Sequence, residues 1–237
     1  VPLKADFELD EAAMSAAITQ HEPAIVYIAY PNNPTANLWN ADTIRRLITQ
    51  VSAYGGLVVM DEAYQPFSSK SWLDEIRQHP AANAKVLLMR TLSKFGLAGI
   101  RLGYMLAPTA LINEIDKLRP PYNVSVLNAE CALFALEHTD VFAQQAAVIR
   151  TEREALFKAL QQMAGVTPYA SEANMMVLRF NGEADAANRA FEVLKAHKVL
   201  VKNVSKMHPL LANCLRLTIG TPEENKQLLA ALQAALS

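Results

Sequence analysis

Short apolar runs alternate with helical patterns in the first half of the chain, and this alternation restricts the fold more than any other feature. The runs are residues 24–29 (AIVYIA), 57–60 (LVVM), 85–89 (KVLLM) and 102–107 (LGYMLA). Apolar side chains on both sides of a run are typical of a strand buried on both faces. Residues 41–53 instead place apolar side chains at i, i+3, i+4 and i+7, starting at Ile44, as an amphipathic helix does. The pattern predicts an α/β fold with a mostly parallel sheet covered by helices.

The second half has a different character, with helices predicted from 109 to 163 and one long helix over 140–163. The later elements are a strand at 174–180, a helix at 184–196, short strands near 199–202 and 214–219, and a final helix. That helix starts with a capping box formed by Thr221 and Glu224. We therefore expect two domains: part of a large α/β domain over residues 1–140 and a smaller α+β domain over 141–237.

Composition excludes several classes of partner. The net charge is −1 and no basic block is present, which argues against a nucleic-acid binder. No apolar run approaches the roughly 18 residues needed to cross a membrane. Cys131 and Cys214 lie far apart without metal-ligand spacing, so we expect buried, reduced thiols in a cytoplasmic protein and no metal site.

Polar residues follow three of the strand-like runs: Asn33, Asp61 and Lys94. The carboxyl ends of parallel strands form the active sites of such sheets. A lysine amine can condense with an aldehyde, and the nearby side chains of Thr91, Ser93 and Arg101 can hold a phosphate. These are the groups that pyridoxal phosphate requires. A lone Ser-Lys pair, however, is more often part of a solvated loop.

Two carboxylates and two hydrogen-bonding side chains have alternative interpretations. Asp61 could hold the protonated pyridine nitrogen of the cofactor, or it could cap the following turn. A metal site shared with Glu62 is disfavoured, because adjacent side chains in extended chain point to opposite sides. Tyr64 and Asn33 could bind the cofactor's phenolic oxygen, although Asn33-Pro34 is also a typical turn sequence.

Two cations are candidates for binding an anionic substrate. Arg216 lies in the alternating run CLRLT and could bind a carboxylate through two parallel hydrogen bonds. Lys202, near another short strand, is a candidate second cation for a phosphate. The alternative for each is an ordinary surface cation on a strand.

With these residues assembled, the chain resembles the fold-type-I, pyridoxal-phosphate-dependent aminotransferases, and within them the histidinol-phosphate aminotransferase subgroup. The matching motifs are YPNNPT (30–35), DEAY (61–64), RTLSK (90–94), LAGIRLGY (97–104) and NCLRLTIGT (213–221). PPYNV (120–124) and the segment from His208-Pro209-Leu210 to Thr221-Pro222-Glu223-Glu224 point to the subgroup. The resemblance extends from end to end of the chain.

The resemblance implies a role for each residue. Lys94 would bind the cofactor covalently, Asp61 would pair with the ring nitrogen, and Asn33 and Tyr64 would contact the ring oxygen. Thr91, Ser93 and Arg101 would hold the phosphate, Arg216 the amino-acid carboxylate, and Lys202 the substrate's phosphate. The implied reaction exchanges an amino group between histidinol phosphate and 2-oxoglutarate by a ping-pong route, in a homodimer.

Two departures from the family pattern matter. Ala36 stands where the family motif has glycine, which costs of order 1 kcal/mol if the position needs a positive φ. Relatives also have roughly a further third of a chain before the segment that starts at Val1. We therefore expect a truncated chain that exposes apolar surface and is inactive by itself, giving no visible absorption with pyridoxal phosphate.

Other functions remain open from sequence. An aromatic aminotransferase or a threonine-phosphate decarboxylase would use nearly the same residues, because fold does not determine substrate. A non-catalytic binding module that retains the fold is a further alternative, although Lys94 and Asp61 argue against it.

Overall fold

The computed structural model describes residues 1–236, and these residues form two compact units. The first unit contains residues 1–31 and 38–144, and the second contains residues 32–37 and those from Gln145 onwards. Each unit has its own four-stranded sheet and its own apolar core. The domain limit predicted between residues 140 and 141 stays a prediction. The sequence pattern does not predict that residues 32–37 belong to the second unit.

The first unit contains most of the strand–helix alternation. Its elements are α1 (Glu11–His21), β1 (Ile25–Ala29), α2 (Ala41–Ala53), β2 (Leu57–Asp61), α3 (Trp72–Gln78), β3 (Val86–Thr91), β4 (Gly103–Leu106), α4 (Thr109–Asp116) and α5 (Val126–Glu137). Helix α6 (Thr139–Gln161) begins in the first unit and ends in the second. The predicted strands and the predicted helix over 41–53 are present, whereas α1 and α3 were not predicted.

The sheet of the first unit has the strand order β1-β2-β3-β4. Strands β1, β2 and β3 are parallel, with Val58 opposite Val26 on one side and Val86 on the other. Strand β4 runs antiparallel to β3 and places Tyr104 opposite Arg90. The predicted mostly parallel sheet is therefore present, with one antiparallel strand at its end.

Helices α1 and α2 cover one face of this sheet. The buried side of α2 is the predicted stripe that starts at Ile44, and it packs with Val58 and Leu88 of the sheet. The other face is less covered: Ile25 and Tyr27 of β1 are 46% and 67% exposed. Alternate residues of a strand point to opposite faces, so β1 buries Val26 and Ile28 and exposes its neighbours.

The second unit is built on an antiparallel sheet. Its elements are β5 (Val166–Pro168), β6 (Met175–Phe180), α7 (Ala186–Ala196), β7 (Lys202–Asn203), β8 (Cys214–Thr218) and α8 (Pro222–Leu236), and its strand order is β5-β6-β8-β7. The core joins Leu178 and Leu217 of the sheet to Leu194 of α7 and Leu232 of α8. The predicted capping box is present, with the N–H of Thr221 donating to Glu224 Oε2 at 2.8 Å and the N–H of Glu224 donating to Thr221 Oγ1 at 3.3 Å.

One expectation about the cysteines is wrong. Cys214 is buried, and burial raises the pKa of its thiol, but Cys131 is exposed. Cys131 lies on α5, whose outward side chains Leu127 and Phe134 are also exposed. Among residues 1–236, no helix is long and apolar enough to span a membrane.

Candidate active site

Asp61 is the last residue of β2, and its side chain is partly exposed at the end of the strand. The backbone is fixed there because Tyr30 donates its N–H to the carbonyl oxygen of Asp61 at 2.8 Å. The carboxylate Oδ1 accepts the N–H of Ala63 at 3.0 Å. Asp61 thus caps the following turn, as the alternative interpretation held. One such bond leaves most of a carboxylate's accepting capacity for a ligand.

Lys94 lies in a tight turn of residues Ser93–Leu97 that follows β3. Hydrogen bonds close this turn onto the start of β4: the N–H of Leu92 donates to the carbonyl of Leu102 at 2.9 Å, and Thr91 Oγ1 donates to the same carbonyl at 3.3 Å. Thr91 Oγ1 also accepts the N–H of Ser93 at 3.0 Å. The hydroxyl of Thr91 therefore holds the backbone of the lysine turn.

Lys94 and Tyr64 meet in the first unit. The Lys94 Nζ lies over the Tyr64 ring, 5.2 Å from its centroid. A cation within about 6 Å of an aromatic face is attracted by the ring quadrupole. Residues separated by thirty positions are thereby brought into contact, which agrees with their predicted assignment to one site.

Ser93 and Arg101 form a second contact beside the lysine. Arg101 Nη1 lies 3.5 Å from Ser93 Oγ, at the limit of a hydrogen bond. Arg101 has φ of 52°, a left-handed conformation that non-glycine residues rarely adopt. Such conformations are enriched at ligand-binding sites. A hydroxyl beside an exposed guanidinium is a suitable donor pair for a phosphate.

The other two predicted groups, Asn33 and Arg216, lie in the second unit. Arg216 Nη1 donates to Asn33 Oδ1 at 2.7 Å. The Nε of Arg216 is buried and has no hydrogen-bond partner among residues 1–236. A buried donor without an acceptor is costly, and a carboxylate or phosphate ligand would supply that acceptor.

Lys202 is the direct cross-strand neighbour of Arg216. Strands β7 and β8 are antiparallel, and their register places Lys202 opposite Arg216. Residues in this relation have Cβ atoms about 4.5–5.5 Å apart, and two like charges there destabilise a sheet. An anion bound between the two side chains would offset the repulsion.

The loop of residues 32–37 is held by its own side chains and by the rest of the second unit. The N–H of Asn32 donates to the carbonyl of Asn37 at 3.0 Å, and buried Thr35 Oγ1 donates to Asn37 Oδ1 at 2.6 Å. Ala36 has φ of 63°, so the departure from glycine falls at a position with positive φ. The carbonyl of Ala36 accepts the N–H of Glu172 at 2.7 Å. Residues 33–35 therefore form a turn, and Asn33 lies in it.

A buried polar cluster next to Asp61 was not predicted from the sequence. Glu62 is 1% exposed and accepts hydrogen bonds from Arg90 and Ser71. The sequence signals that could have suggested this cluster are the acidic residue directly after Asp61 and the arginine at the end of the next strand. A cavity of about 480 Å³ lies beside the cluster and is lined by Glu62, Arg90, Phe95, Tyr104 and Leu136, among others. Of the predicted site residues, only Thr91 lines this cavity.

The donor groups fit the chemistry of pyridoxal phosphate. The first unit offers an amine at Lys94, a carboxylate at Asp61, and a hydroxyl and guanidinium at Ser93 and Arg101. The amine can react with the aldehyde of the cofactor, the carboxylate can pair with its pyridinium nitrogen, and the hydroxyl and guanidinium can bind its phosphate. In the second unit, the buried Nε of Arg216, which has no partner among residues 1–236, can donate to an anionic substrate.

Comparison with known proteins identifies the family. Residues 1–232 match the model of the family described as aminotransferase class I and II. The histidinol-phosphate aminotransferase of Methylibium petroleiphilum is 64% identical over all 237 residues, which span 62% of its length.

Two solved structures have the same fold. The histidinol-phosphate aminotransferase of Sinorhizobium meliloti, solved with pyridoxal-5'-phosphate, has a TM-score of 0.84 at 25% identity, covering 100% of this chain and 63% of that one. The L-threonine-O-3-phosphate decarboxylase of Porphyromonas gingivalis has a TM-score of 0.74 at 23% identity, covering 90% of this chain and 64% of that one. The second likeness concerns the fold alone.

These matches confirm the predicted fold class and the predicted cofactor at the level of the family. The chain spans about 62% of the length of the curated relative. The roles of individual site residues stay predictions. The chain belongs to the class I and II aminotransferase family, whose members depend on pyridoxal phosphate.

Proposed function

We propose that the whole protein transfers an amino group between histidinol phosphate and 2-oxoglutarate, a step of histidine biosynthesis. The observation that supports this most is the 64% identity, over the whole chain, to a protein named histidinol-phosphate aminotransferase. The adjacent cations Lys202 and Arg216 agree with it, because both substrates are anions. The decarboxylase alternative rests on likeness of fold alone.

The first unit supplies the groups for the cofactor. Lys94 would hold the cofactor through its amine, and the same amine could move the proton at the substrate α-carbon. Asp61 would keep the ring nitrogen protonated, and the hydroxyl of Tyr64 would be the donor for the ring oxygen. Ser93 and Arg101 would hold the phosphate, and Thr91 fixes the backbone of their turn through its hydroxyl. When bound, the cofactor supplies an electron sink for the carbanion formed at that carbon.

The second unit supplies the groups for the substrates. Arg216 binds the carboxylate of the amino acid through its guanidinium, using the Nε that has no partner within residues 1–236. Asn33 orients Arg216 by accepting its hydrogen bond. Its amide would be the donor for the cofactor's ring oxygen. Lys202 adds a second positive charge, which favours a donor with a phosphate group.

We also propose that the whole protein is a cytoplasmic homodimer. The exposed apolar side chains of α5, including Leu127 and Phe134, agree with association. Light scattering on the purified protein measures this directly, and a monomeric mass at micromolar concentration would contradict it.

The test of the function uses the whole protein mixed with pyridoxal phosphate. We expect a visible absorption band that Lys94→Ala abolishes, together with fast turnover of histidinol phosphate and 2-oxoglutarate. Matched assays present phenylalanine and threonine phosphate to the same preparation. Faster turnover of phenylalanine, or release of carbon dioxide from threonine phosphate, would overturn the proposed substrate. A band that survives in Lys94→Ala would overturn the proposed role of the lysine.

A further inference from the structure

Glu62 is a fully buried carboxylate that the proposed chemistry does not use. Its side chain has no exposed surface, and Arg90 donates to its Oε2 from Nε at 2.9 Å and from Nη2 at 2.8 Å. Ser71 Oγ donates to Oε1 at 3.0 Å, and the N–H of Trp72 donates to the same oxygen. Arg90 Nη2 also donates to Ser71 Oγ at 2.8 Å, which closes the cluster.

The cluster lies immediately beside Asp61 in the chain. Glu62 donates its N–H to the carbonyl of Met89 at 2.8 Å, continuing the parallel pairing of Asp61 with Met89. Adjacent side chains of extended backbone point to opposite sides. The hydrogen bonds that hold the Glu62 side chain therefore also restrict rotation of the backbone at the end of β2. This in turn restricts the direction of the Asp61 side chain, which points to the opposite side of the strand.

Arg90 makes the same connection to the lysine turn. Arg90 directly precedes Thr91. The Thr91 hydroxyl accepts the N–H of Ser93 and donates to the carbonyl of Leu102, and Ser93 directly precedes Lys94. Burial opposes the charge of Arg90, but hydrogen bonds with Tyr104 and Glu62 outweigh it and raise the pKa of Arg90. The guanidinium thus stays charged and links β2, β4 and the start of α3.

A buried ion pair is weak evidence for stability, because desolvation of both charges offsets their attraction. Its value can instead lie in fixing one geometry, and reaction rates fall steeply when reacting groups are misplaced. We propose that Glu62 and Arg90 are positioning residues that set the placement of the Asp61 carboxylate relative to the Lys94 amine. This inference rests on the proposed function.

The first test replaces Glu62 with glutamine in the whole protein. Glutamine keeps the shape but turns one acceptor into a donor that faces the donors of Arg90 and Trp72. We expect kcat to fall about 10- to 100-fold with KM nearly unchanged. We also expect the wavelength or the pH midpoint of the cofactor's visible band to shift. Glu75→Gln is the matched control, because Glu75 forms a two-pronged pair with exposed Arg45 in the same unit.

Arg90→Lys gives an independent measurement. Lysine keeps the positive charge but has one nitrogen, so it cannot replace the two nitrogens with which Arg90 donates to Glu62 Oε2. We expect kcat to fall about 10-fold and the band to shift in the same direction as in Glu62→Gln. A wild-type kcat and band in either variant would overturn the inference.

The double variant Glu62→Met/Arg90→Met separates positioning from stability. Replacing both partners removes the uncompensated charge, so the unfolding temperature should return towards that of the wild type. Activity should stay low, because no ion pair then holds the ends of β2 and β3, which place Asp61 and Lys94. Recovery of kcat together with stability would make the pair merely structural and overturn the inference. Failure of the proposed function is recognised separately, because the wild type would then show no Lys94-dependent band.

Discussion

Arg216 donates a hydrogen bond to Asn33 over 2.7 Å, although 183 positions separate the two residues in the sequence. One nitrogen of the guanidinium is thereby committed, while the buried Nε has no partner among residues 1–236. The contact fixes the plane of the guanidinium and leaves the Nε–H available to donate to a ligand. Arg216 is therefore oriented in advance for a second, anionic partner, and this reduces the ordering cost of binding.

Replacing Arg216 with lysine should weaken substrate binding although the charge is retained. Lysine cannot form two parallel hydrogen bonds, and bonds to charged groups contribute about 1.5–3 kcal/mol each. We expect kcat/KM for the amino donor to fall about 10- to 100-fold in the whole protein, measured by steady-state kinetics. Arg189→Lys, at an exposed pair with Glu183, serves as the control and should change nothing. An unchanged kcat/KM in Arg216→Lys would contradict the proposed role.

Lys202→Gln should change stability and affinity in opposite directions. Removing one of two facing cations relieves a cross-strand repulsion of about 0.2–1 kcal/mol, so the unfolding temperature should rise by about 1–3 °C. The KM for a phosphorylated donor should increase, whereas that for an unphosphorylated amino acid should change little. Thermal unfolding and kinetics of Lys202→Gln are compared with those of the control Lys226→Gln, at an exposed position of α8. A lower unfolding temperature would show that the two cations do not repel.

Ala36 should tolerate glycine but not valine. Glycine relieves the strain of a positive φ but removes a buried methyl and loosens the unfolded chain, so these effects nearly cancel. We expect Ala36→Gly to change the free energy of unfolding by less than about 1 kcal/mol. Valine adds volume and a β-branch at this φ and should destabilise by about 2–4 kcal/mol. Denaturant unfolding measures both, and equal stability of the two variants would contradict this account.

The contact between α1 and α2 should make stability depend on acid. Hydrogen bonds from Arg46 and Thr43 lower the pKa of Glu11 from 4.5 to about 2. A lowered pKa means that the contribution is complete above pH 4.5 and is lost as the pH falls towards 2. Glu11→Gln should therefore unfold at a lower temperature than the wild type at pH 6, with the difference shrinking below pH 4.5. A difference that is constant with pH would exclude this ion pair as its source.

Local signals in the sequence were sufficient for much of the fold. The apolar runs predict β1, β2 and β3, and the periodic stripe from Ile44 predicts α2 with its bounds. Thr221 and Glu224 predict the start of α8 because a capping box needs only neighbouring residues. Each of these features depends on interactions within one element or between adjacent ones.

The features that sequence did not reveal depend on distant partners. Arg90 is 28 positions from Glu62, and its place at the end of the next strand is only a weak signal for their pairing. The strand containing Lys202 has two residues, too few for a periodic pattern, and its pairing with Arg216 is set by the register of β8. The antiparallel direction of β4 likewise follows from the tight turn after Lys94, which is too short for a parallel crossover.

The chain passes from the first compact unit into the second at residue 32, returns at residue 38, and enters the second unit again at residue 145. A recombination event that exchanged only the segment from Gln145 onwards between relatives would transfer Arg216 without Asn33. The hybrid would pair an arginine from one ancestor with an asparagine loop from another. Residues 32–37 and the segment from Gln145 onwards would therefore have to be exchanged together to keep both partners of the Asn33–Arg216 hydrogen bond from one source.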